Sequence, residues 1–350
     1  MGQDKNYIIQ LLRFLFVLII VTYNFPIDSI LYKNLIIKNI NLFITFFFVL
    51  SSYLFFLKFN TEKINLDFII DYLKTKILRF YPIHFLLLIC FGVIEIVKNF
   101  YIIDYNYNPI YQSYSLNEFI LNLFFLNGFE LSPHTFNQPS WTISLLIGTI
   151  LFYTIFNLID KKLSVFLSIL LSIFLTFIIV TNYSYEFMYK YRNLLLLLSF
   201  STTQVLCYLL FNTKILRKWS VFVYALFSIL TVFLFYFFRD LSTIFLYFIL
   251  IFFLFKNNKK LELSNLKKFC IYLGNISFIW FMSHYLFTFL TRQVLKVVYK
   301  FKINLNDNTI IFEYGSSLVV LFVIFTSLIF SIFLYEMNKR ILKFKKLYDF

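Results

Sequence analysis

Apolar residues run along this chain in blocks of about 20, and short polar stretches separate the blocks. A membrane-spanning helix needs about 20 predominantly apolar residues. The first block lacks a small-residue cleavage site at its end, so we expect it to stay in the protein as a span rather than act as a signal peptide. The eighth block is short, and the first carries Arg13. Ten blocks are predicted to span a lipid bilayer: 7–26, 39–57, 80–99, 140–158, 163–181, 193–212, 219–237, 240–255, 269–290 and 310–334.

Two of the connecting segments have a pattern of their own. Segment 58–79 is basic and amphipathic, so we expect it to lie along the inner headgroup layer of the membrane. Segment 98–139 is the longest external stretch and contains an apolar piece from Phe119 to Phe129, which is too short to span. That piece is predicted to be either re-entrant or interfacial.

Composition excludes an ordinary soluble domain. Of the 350 residues 61% are hydrophobic and only 14% are charged, whereas a soluble domain is about half apolar and a quarter charged. Three widely spaced cysteines, Cys90, Cys207 and Cys270, exclude a disulfide framework and a thiolate metal cluster. The predicted fold is therefore a single all-α polytopic membrane domain over residues 1–350, with the lipid bilayer as its main partner.

The net charge of +15 would indicate nucleic acid in a soluble protein. In a membrane protein, however, basic residues collect on the cytoplasmic side. With the N-terminus inside, 22 of the 32 Lys and Arg residues fall in the cytoplasmic pieces and 10 on the opposite side. Both termini are therefore predicted to be cytoplasmic, as an even number of spans requires, and no nucleic-acid partner is expected.

Polar residues inside the predicted spans are few, and such residues are costly in lipid, so each is a functional hypothesis. Arg13 and Asn24 are eleven positions apart, which places them on one face of a helix about 16 Å apart. The alternative is an Arg that reaches the headgroups and an Asn at a helix end. Glu95 lies toward the outer end of the third span, where it could act as a general base. The alternative is that it makes a helix–helix hydrogen bond or simply lies at the outer interface. His284 lies at a depth similar to that of Asn24, so contact between the two is allowed.

Several short phrases follow one another over nearly the whole chain. They are 46–53 in the second span, 76–82 with its basic pair and proline, 139–144 with Trp141, 273–284 ending in His284, and Tyr335-Glu336 before a basic tail. Together with Arg13 in the first span, these phrases resemble, in the same order, the bacterial integral-membrane acyltransferases of the acyltransferase-3 type. In that family the first span carries an Arg, then ten residues, then a His.

The chain departs from the family pattern at two positions. Asn24 stands where the family has its first-span His, which is usually taken as the catalytic base, and a neutral amide cannot accept a proton. Leu146 stands where many relatives have Glu. Catalysis therefore needs another base, for which His284 and Glu95 are the candidates. His84 is predicted near the inner surface, close to a donor headgroup or simply interfacial, and His134 in the external loop.

The resemblance implies an O-acyltransferase of the bacterial cytoplasmic membrane. An acyl-CoA would donate an acyl group to a hydroxyl of a cell-surface glycan or glycolipid, and acetyl-CoA is the expected donor. His284, Glu95 and Asn24 are the predicted catalytic residues; Arg13, Lys76 and Arg79 would bind the donor phosphates; and Ser51, Trp141 and His134 would contact the glycan acceptor. No metal is expected, because zinc, dinucleotide and phosphate-loop motifs are missing from the sequence.

Two alternatives remain open. A non-catalytic relative that exports or assembles a surface polysaccharide would explain the loss of the first-span His. An ion-coupled transporter of small solutes is a more remote alternative, because the spans lack paired interruptions by Gly or Pro.

Overall fold

The computed structural model describes residues 6–24, 40–62, 64–100, 116–129, 136–182, 192–212, 239–256, 265–299 and 316–343. Within these ranges the chain is helical and has no β-strand, which confirms the all-α prediction. Ten α-helices are described: α1 (Tyr7–Tyr23), α2 (Ile40–Thr61), α3 (Leu66–Phe100), α4 (Leu116–Leu123), α5 (Ser140–Ile159), α6 (Lys161–Thr181), α7 (Arg192–Asn212), α8 (Arg239–Lys256), α9 (Asn265–Tyr299) and α10 (Ser316–Lys343).

Seven of these helices are long and apolar enough to cross a membrane, and α1 and α8 contain shorter apolar helices. Together they account for nine of the ten predicted spans. The seventh predicted span, 219–237, lies outside the described residues. The last predicted span continues further than expected, since α10 is helical to Lys343. Ten spans and cytoplasmic termini therefore stay predictions, while a multi-pass membrane protein is what the described helices support.

Helix α3 is a single helix of 35 residues that continues through Pro82. Its length is about 52 Å at 1.5 Å per residue, well beyond the ~30 Å hydrocarbon core. The predicted amphipathic segment 58–79 is thus not a separate element, because it comprises the end of α2 and the first part of α3. Aromatic rings join these two parts, with Phe59 centred 5.2 Å from both Phe68 and Tyr72.

Contacts between helices fix their relative directions. At the start of α1, the Asn6 amide donates to the carbonyl of Leu254 near the end of α8, at 2.7 Å. Helix α9 runs parallel to α1, and Tyr272 near its start stacks edge-on against Tyr335 near the end of α10. The start of α1 and the end of α10 therefore lie at the same end of the bundle. We call it the proximal end and the opposite one the distal end.

Helix α2 separates two apolar cores. One core joins α2 to α1, α3, α5 and α9, and the other joins it to α7 and α8. Ser52 lies in α2 at the contact with α7, where it is fully buried. Its hydroxyl donates to the carbonyl of Phe200 at 2.7 Å and accepts from the Gln204 amide at 2.8 Å. Because both bonds are made, the buried hydroxyl of Ser52 is satisfied at the contact between α2 and α7.

Residues 116–129, which comprise α4 and the 3₁₀ turn Asn127–Phe129, turn back into the bundle. Phe119 packs on Gly92 of α3, where an added Cβ would lie 3.3 Å from its ring. Asn122 lies further along, with its carbonyl 2.8 Å from Nε2 of His84. Gly92 and His84 are about 12 Å apart along α3, so the segment descends toward the proximal end. Of the two predicted alternatives, this geometry favours a re-entrant segment.

Candidate functional site

The centre of the candidate site is a contact between α1 and α9. Asn24 caps the C-terminus of α1, with its backbone N–H bonded to the carbonyl of Ile20 at 3.1 Å. Its side-chain amide nitrogen lies 3.0 Å from Nε2 of His284. The sequence allowed this contact because the two residues were predicted at similar depths, and the structure makes it.

Hydrogen bonding fixes the tautomer of His284. Nδ1 lies 2.8 Å from the carbonyl of Phe281 and 3.2 Å from that of Trp280. A carbonyl only accepts, so Nδ1 carries the proton of the neutral imidazole and Nε2 presents its lone pair. The Asn24 amide donates into that lone pair. The arrangement is an unprotonated imidazole nitrogen held in a defined direction by a neighbouring amide.

Neighbouring helices hold the imidazole in place. His284 is fully buried, and the adjacent Ser283 hydroxyl lies 2.9 Å from that of Ser331 in α10. One turn earlier, the Trp280 indole donates to Ser327 of α10 at 3.0 Å. The same indole packs against Phe14 of α1, with ring centroids 5.3 Å apart. Three helices therefore fix the position of His284.

A cluster of cations lies toward the proximal end of the bundle, on α1, α2 and α3. Lys76 and Arg79 of α3 are electrostatic neighbours of Arg13 in α1, and Lys58 of α2 adds a fourth charge. Among the described residues, the charges that act on Lys76 are those of Arg79, Lys58 and Arg13, all cations. Arg13 and Lys76 are half-buried, while Arg79 and Lys58 are exposed. Like charges repel, so this cluster is suited to an anion that neutralises several of them at once.

Gly274 of α9 allows the close helix contact that positions Arg13. A Cβ at residue 274 would lie 2.8 Å from the Cα of Gln10, closer than real Cβ atoms approach. With glycine there, α1 and α9 touch, and the Gln10 side-chain oxygen accepts from the Arg13 guanidinium at 2.9 Å. The glycine of the predicted 273–284 phrase is thereby explained by packing.

Three of the phrases that carry the family resemblance also meet at this end. Tyr335 of α10 is an electrostatic neighbour of Arg79, and its hydroxyl interacts with the side chain of Asn275. Residues from α3, α9 and α10 that are far apart in sequence are thus brought together beside the cation cluster.

Among the remaining predicted residues, Glu95 is buried in α3 one turn beyond Phe91, whose ring contacts Phe289 of α9 at 6.0 Å. Ser51 is half-buried in α2, one turn from Phe47, whose ring stacks on Phe281 at 6.4 Å. His134 lies outside the described residues.

Trp141 is buried at the start of α5, with the Arg192 guanidinium 4.1 Å above its ring. This cation–π contact joins α5 to the start of α7.

Three groups of contributing residues escaped the sequence reasoning. In the sequence, Lys58 is only one of the basic residues of a cytoplasmic segment. For Gln10, the only indication of a role is its position one turn before Arg13. The third group is a set of polar side chains in and around the re-entrant segment. The mean hydropathy of that segment is apolar and so hides them. The recurrence of Asn at 122, 127 and 137 was the signal that was available.

No protein-family model matches this chain, and neither does any curated protein or solved structure. The function is therefore argued from the chain's own residues.

Proposed function

We propose that this protein is an O-acyltransferase of the bacterial cytoplasmic membrane, of the acyltransferase-3 type that its sequence phrases resemble. It would move an acyl group from acyl-CoA to a hydroxyl of a cell-surface glycan or lipid-linked saccharide. Acetyl-CoA is the expected donor. The observation that carries the proposal is the Asn24–His284 hydrogen bond of 3.0 Å between α1 and α9, since α1 also carries Arg13 of the cation cluster.

The cation cluster is the proposed donor site. Acyl-CoA carries several phosphates, and Arg grips phosphate through two parallel hydrogen bonds while Lys acts as a point charge. Arg13, Lys76 and Arg79 would take those phosphates, and Lys58 joins them in the folded protein. Asn24 lies eleven positions after Arg13, a rise of about 16 Å along α1. The extended arm of the donor would run along this distance and bring its thioester to His284.

The proposed reaction is attack of the glycan hydroxyl on the thioester carbonyl. As the new C–O bond forms, Nε2 of His284 takes the hydroxyl proton, and the imidazolium returns a proton to the thiolate when the C–S bond breaks. Once the Asn24 amide is released from Nε2, it would orient the glycan hydroxyl or stabilise the developing oxyanion together with Ser51. Glu95 is the second candidate for the base. His284 is preferred, because its lone pair has a defined direction.

Sidedness follows from the predicted topology. Phosphates of a cytosolic donor would dock at the proximal end, and a glycan would arrive from the distal side, where Trp141 and His134 would meet it. The two substrates would then reach His284 from opposite compartments.

A transfer assay tests this proposal. Purified protein in lipid nanodiscs is given radiolabelled acetyl-CoA and the glycan fraction of its own cells, and both free CoA and labelled glycan are measured. We expect release of CoA that depends on the glycan, with one label incorporated per CoA. No glycan-dependent release would exclude the enzyme and leave the non-catalytic exporter as the alternative.

A further inference from the structure

A chain of buried polar side chains surrounds the re-entrant segment. The carbonyl of Asn122 accepts from Nε2 of His84 at 2.8 Å. Ser140, the first residue of α5, places its hydroxyl 3.4 Å from the side-chain oxygen of Asn122 and accepts from the Asn127 amide at 2.7 Å. The hydroxyl itself donates to the carbonyl of Asn137 at 2.6 Å. We call these five residues the re-entrant polar cluster.

This cluster adjoins the candidate site. The side-chain amide of Asn137 donates to the carbonyl of Met282 at 3.0 Å. Met282 is two residues before His284 in α9, so one hydrogen bond joins the cluster to the backbone beside the proposed base. A ligand at the cluster would therefore lie close to the reacting groups.

Three atoms of the cluster have no hydrogen-bond partner among the described residues: Nδ1 of His84, Oδ1 of Asn127 and Oδ1 of Asn137. All three accept hydrogen bonds. The amide oxygens do so by their chemistry, and Nδ1 does so because Nε2 must carry the proton that is donated to the Asn122 carbonyl. Their side chains are inside the protein, with His84 and Asn137 0% exposed and Asn127 4% exposed.

Buried acceptors without partners are unfavourable, and native structures satisfy them with a protein group, water or a ligand. The missing partner has to donate hydrogen bonds. A fully deprotonated anion has no proton to give, and an imidazole nitrogen beside neutral amides is a poor ligand set for a hard cation. A group with several neighbouring O–H donors fits best. Water and the hydroxyls of a sugar share this chemistry.

We propose that the re-entrant polar cluster binds the hydroxyl-bearing ring of the glycan acceptor, with His84, Asn127 and Asn137 accepting hydrogen bonds from its hydroxyls. The assignment to the acceptor rests on the proposed acyltransferase function, whereas the need for a donor-rich ligand rests on the three atoms themselves. One hydroxyl of the ring attacks the thioester, and its neighbours hold the ring in place.

The turn after α4 covers the cluster. Phe125 stacks on the His84 imidazole with centroids 4.2 Å apart, and its φ of 56° lies in the left-handed region. That conformation is costly for a residue with a bulky side chain. We expect a sugar to enter as Phe125 leaves the ring of His84, a movement that would also let the Phe125 backbone leave the left-handed region.

A binding experiment without acyl donor tests the cluster directly. The probe is radiolabelled octyl β-D-glucoside below its micelle concentration, with empty nanodiscs as the background. Its tetra-O-methyl ether keeps the oxygens but has no O–H to donate. We expect saturable binding of the glucoside to wild-type protein and none of the ether. Binding of both probes alike, or of neither, would overturn the proposal in favour of a cluster filled only by water.

Variants of His84 separate ligand binding from packing. His84→Gln keeps a donor for the Asn122 carbonyl and an acceptor in place of Nδ1, whereas His84→Phe keeps the stacking on Phe125 and loses both. We expect the phenylalanine variant to weaken glucoside binding about threefold to tenfold, the effect of one lost hydrogen bond to a neutral group. The glutamine variant should bind within about twofold of wild type. The opposite order would show that the ring only packs.

Asn127→Leu gives an independent second test, with Asn157→Leu as its matched control. Asn157 lies at the α5–α6 contact, where its amide donates to Tyr153 and Ser164. We expect only the Asn127 variant to weaken binding, with both variants checked for an unchanged unfolding temperature. If Asn127→Leu does not fold, the comparison of His84→Gln with His84→Phe decides whether the cluster binds the glucoside. Glucoside binding without any transfer activity would reject the proposed enzyme and keep the binding site.

Discussion

The amide of Asn24 donates to Nε2 of His284 at 3.0 Å, across 260 positions of sequence. Asn24 stands where the resembling family has its histidine, and the structure places another histidine directly against it. An imidazole from α9 therefore lies within hydrogen-bond distance of the position at which that family has a histidine in its first span. This relationship makes the role of His284 testable.

His284→Gln is expected to lower kcat for acetyl transfer by about 10²- to 10⁴-fold, the usual contribution of a general base. KM for acetyl-CoA should stay close to wild type, because the donor phosphates bind elsewhere. Steady-state kinetics in nanodiscs measure both constants. Thr326→Val is the control, since Thr326 is half-buried on α10 and its hydroxyl bonds within its own helix. Full activity of His284→Gln together with an inactive Glu95→Gln would assign the base to Glu95 instead.

Asn24→His restores the family residue beside His284. We expect kcat to rise about tenfold or more, because a second imidazole can take up the proton that the amide cannot. Asn24→Leu, which has a similar size and no amide, should lower kcat. If the wild-type protein is inactive and Asn24→His is inactive too, the result would instead support the non-catalytic exporter.

Lys76→Gln and Arg79→Gln are each expected to raise KM for acetyl-CoA about fivefold to tenfold, since each removes a charge-assisted contact to phosphate. The increase should shrink at high salt, because screening already weakens these contacts in the wild type. Lys74→Gln is the matched control, since Lys74 is exposed on the same helix. If the control raises KM as much as the other two variants, the effect comes from general surface charge.

Gly274→Ala is expected to destabilise the protein by about 1–3 kcal/mol, the usual cost of overpacking. The added Cβ would lie 2.8 Å from the backbone of Gln10, so α1 has to move. Thermal unfolding in nanodiscs measures the loss. KM for acetyl-CoA should rise as well, because Gln10 holds Arg13.

Gly92→Ala is the matched control for that variant. Its Cβ meets only the ring of Phe119, at 3.3 Å, and a side chain yields more easily than backbone. Equal destabilisation by both glycine variants would contradict the special role of the α1–α9 contact.

Much of the fold was predictable because lipid imposes a simple rule. Every spanning helix must present about 20 apolar residues, so hydropathy located seven helices that are long and apolar enough to span and the shorter apolar helices in α1 and α8. Hydropathy does not tell which helices pack against each other, however. It also gave no sign that α3 begins within segment 58–79 and continues without a break into the predicted third span, and length alone could not decide whether 119–129 packs in the bundle or lies at the interface.

By itself, the sequence determined that this is an all-α membrane protein with Arg13 and Asn24 on one helix face and His284 at a similar depth. These features depend on composition and on helical periodicity, which are local properties. Only the tertiary structure decided that Asn24 meets His284, that Lys58 joins the three other cations, and that three acceptors beside the re-entrant segment have no partner among the described residues. Each of those depends on side chains from different helices, and packing between helices in lipid is set by close contacts such as Gly274 against Gln10, which hydropathy does not encode.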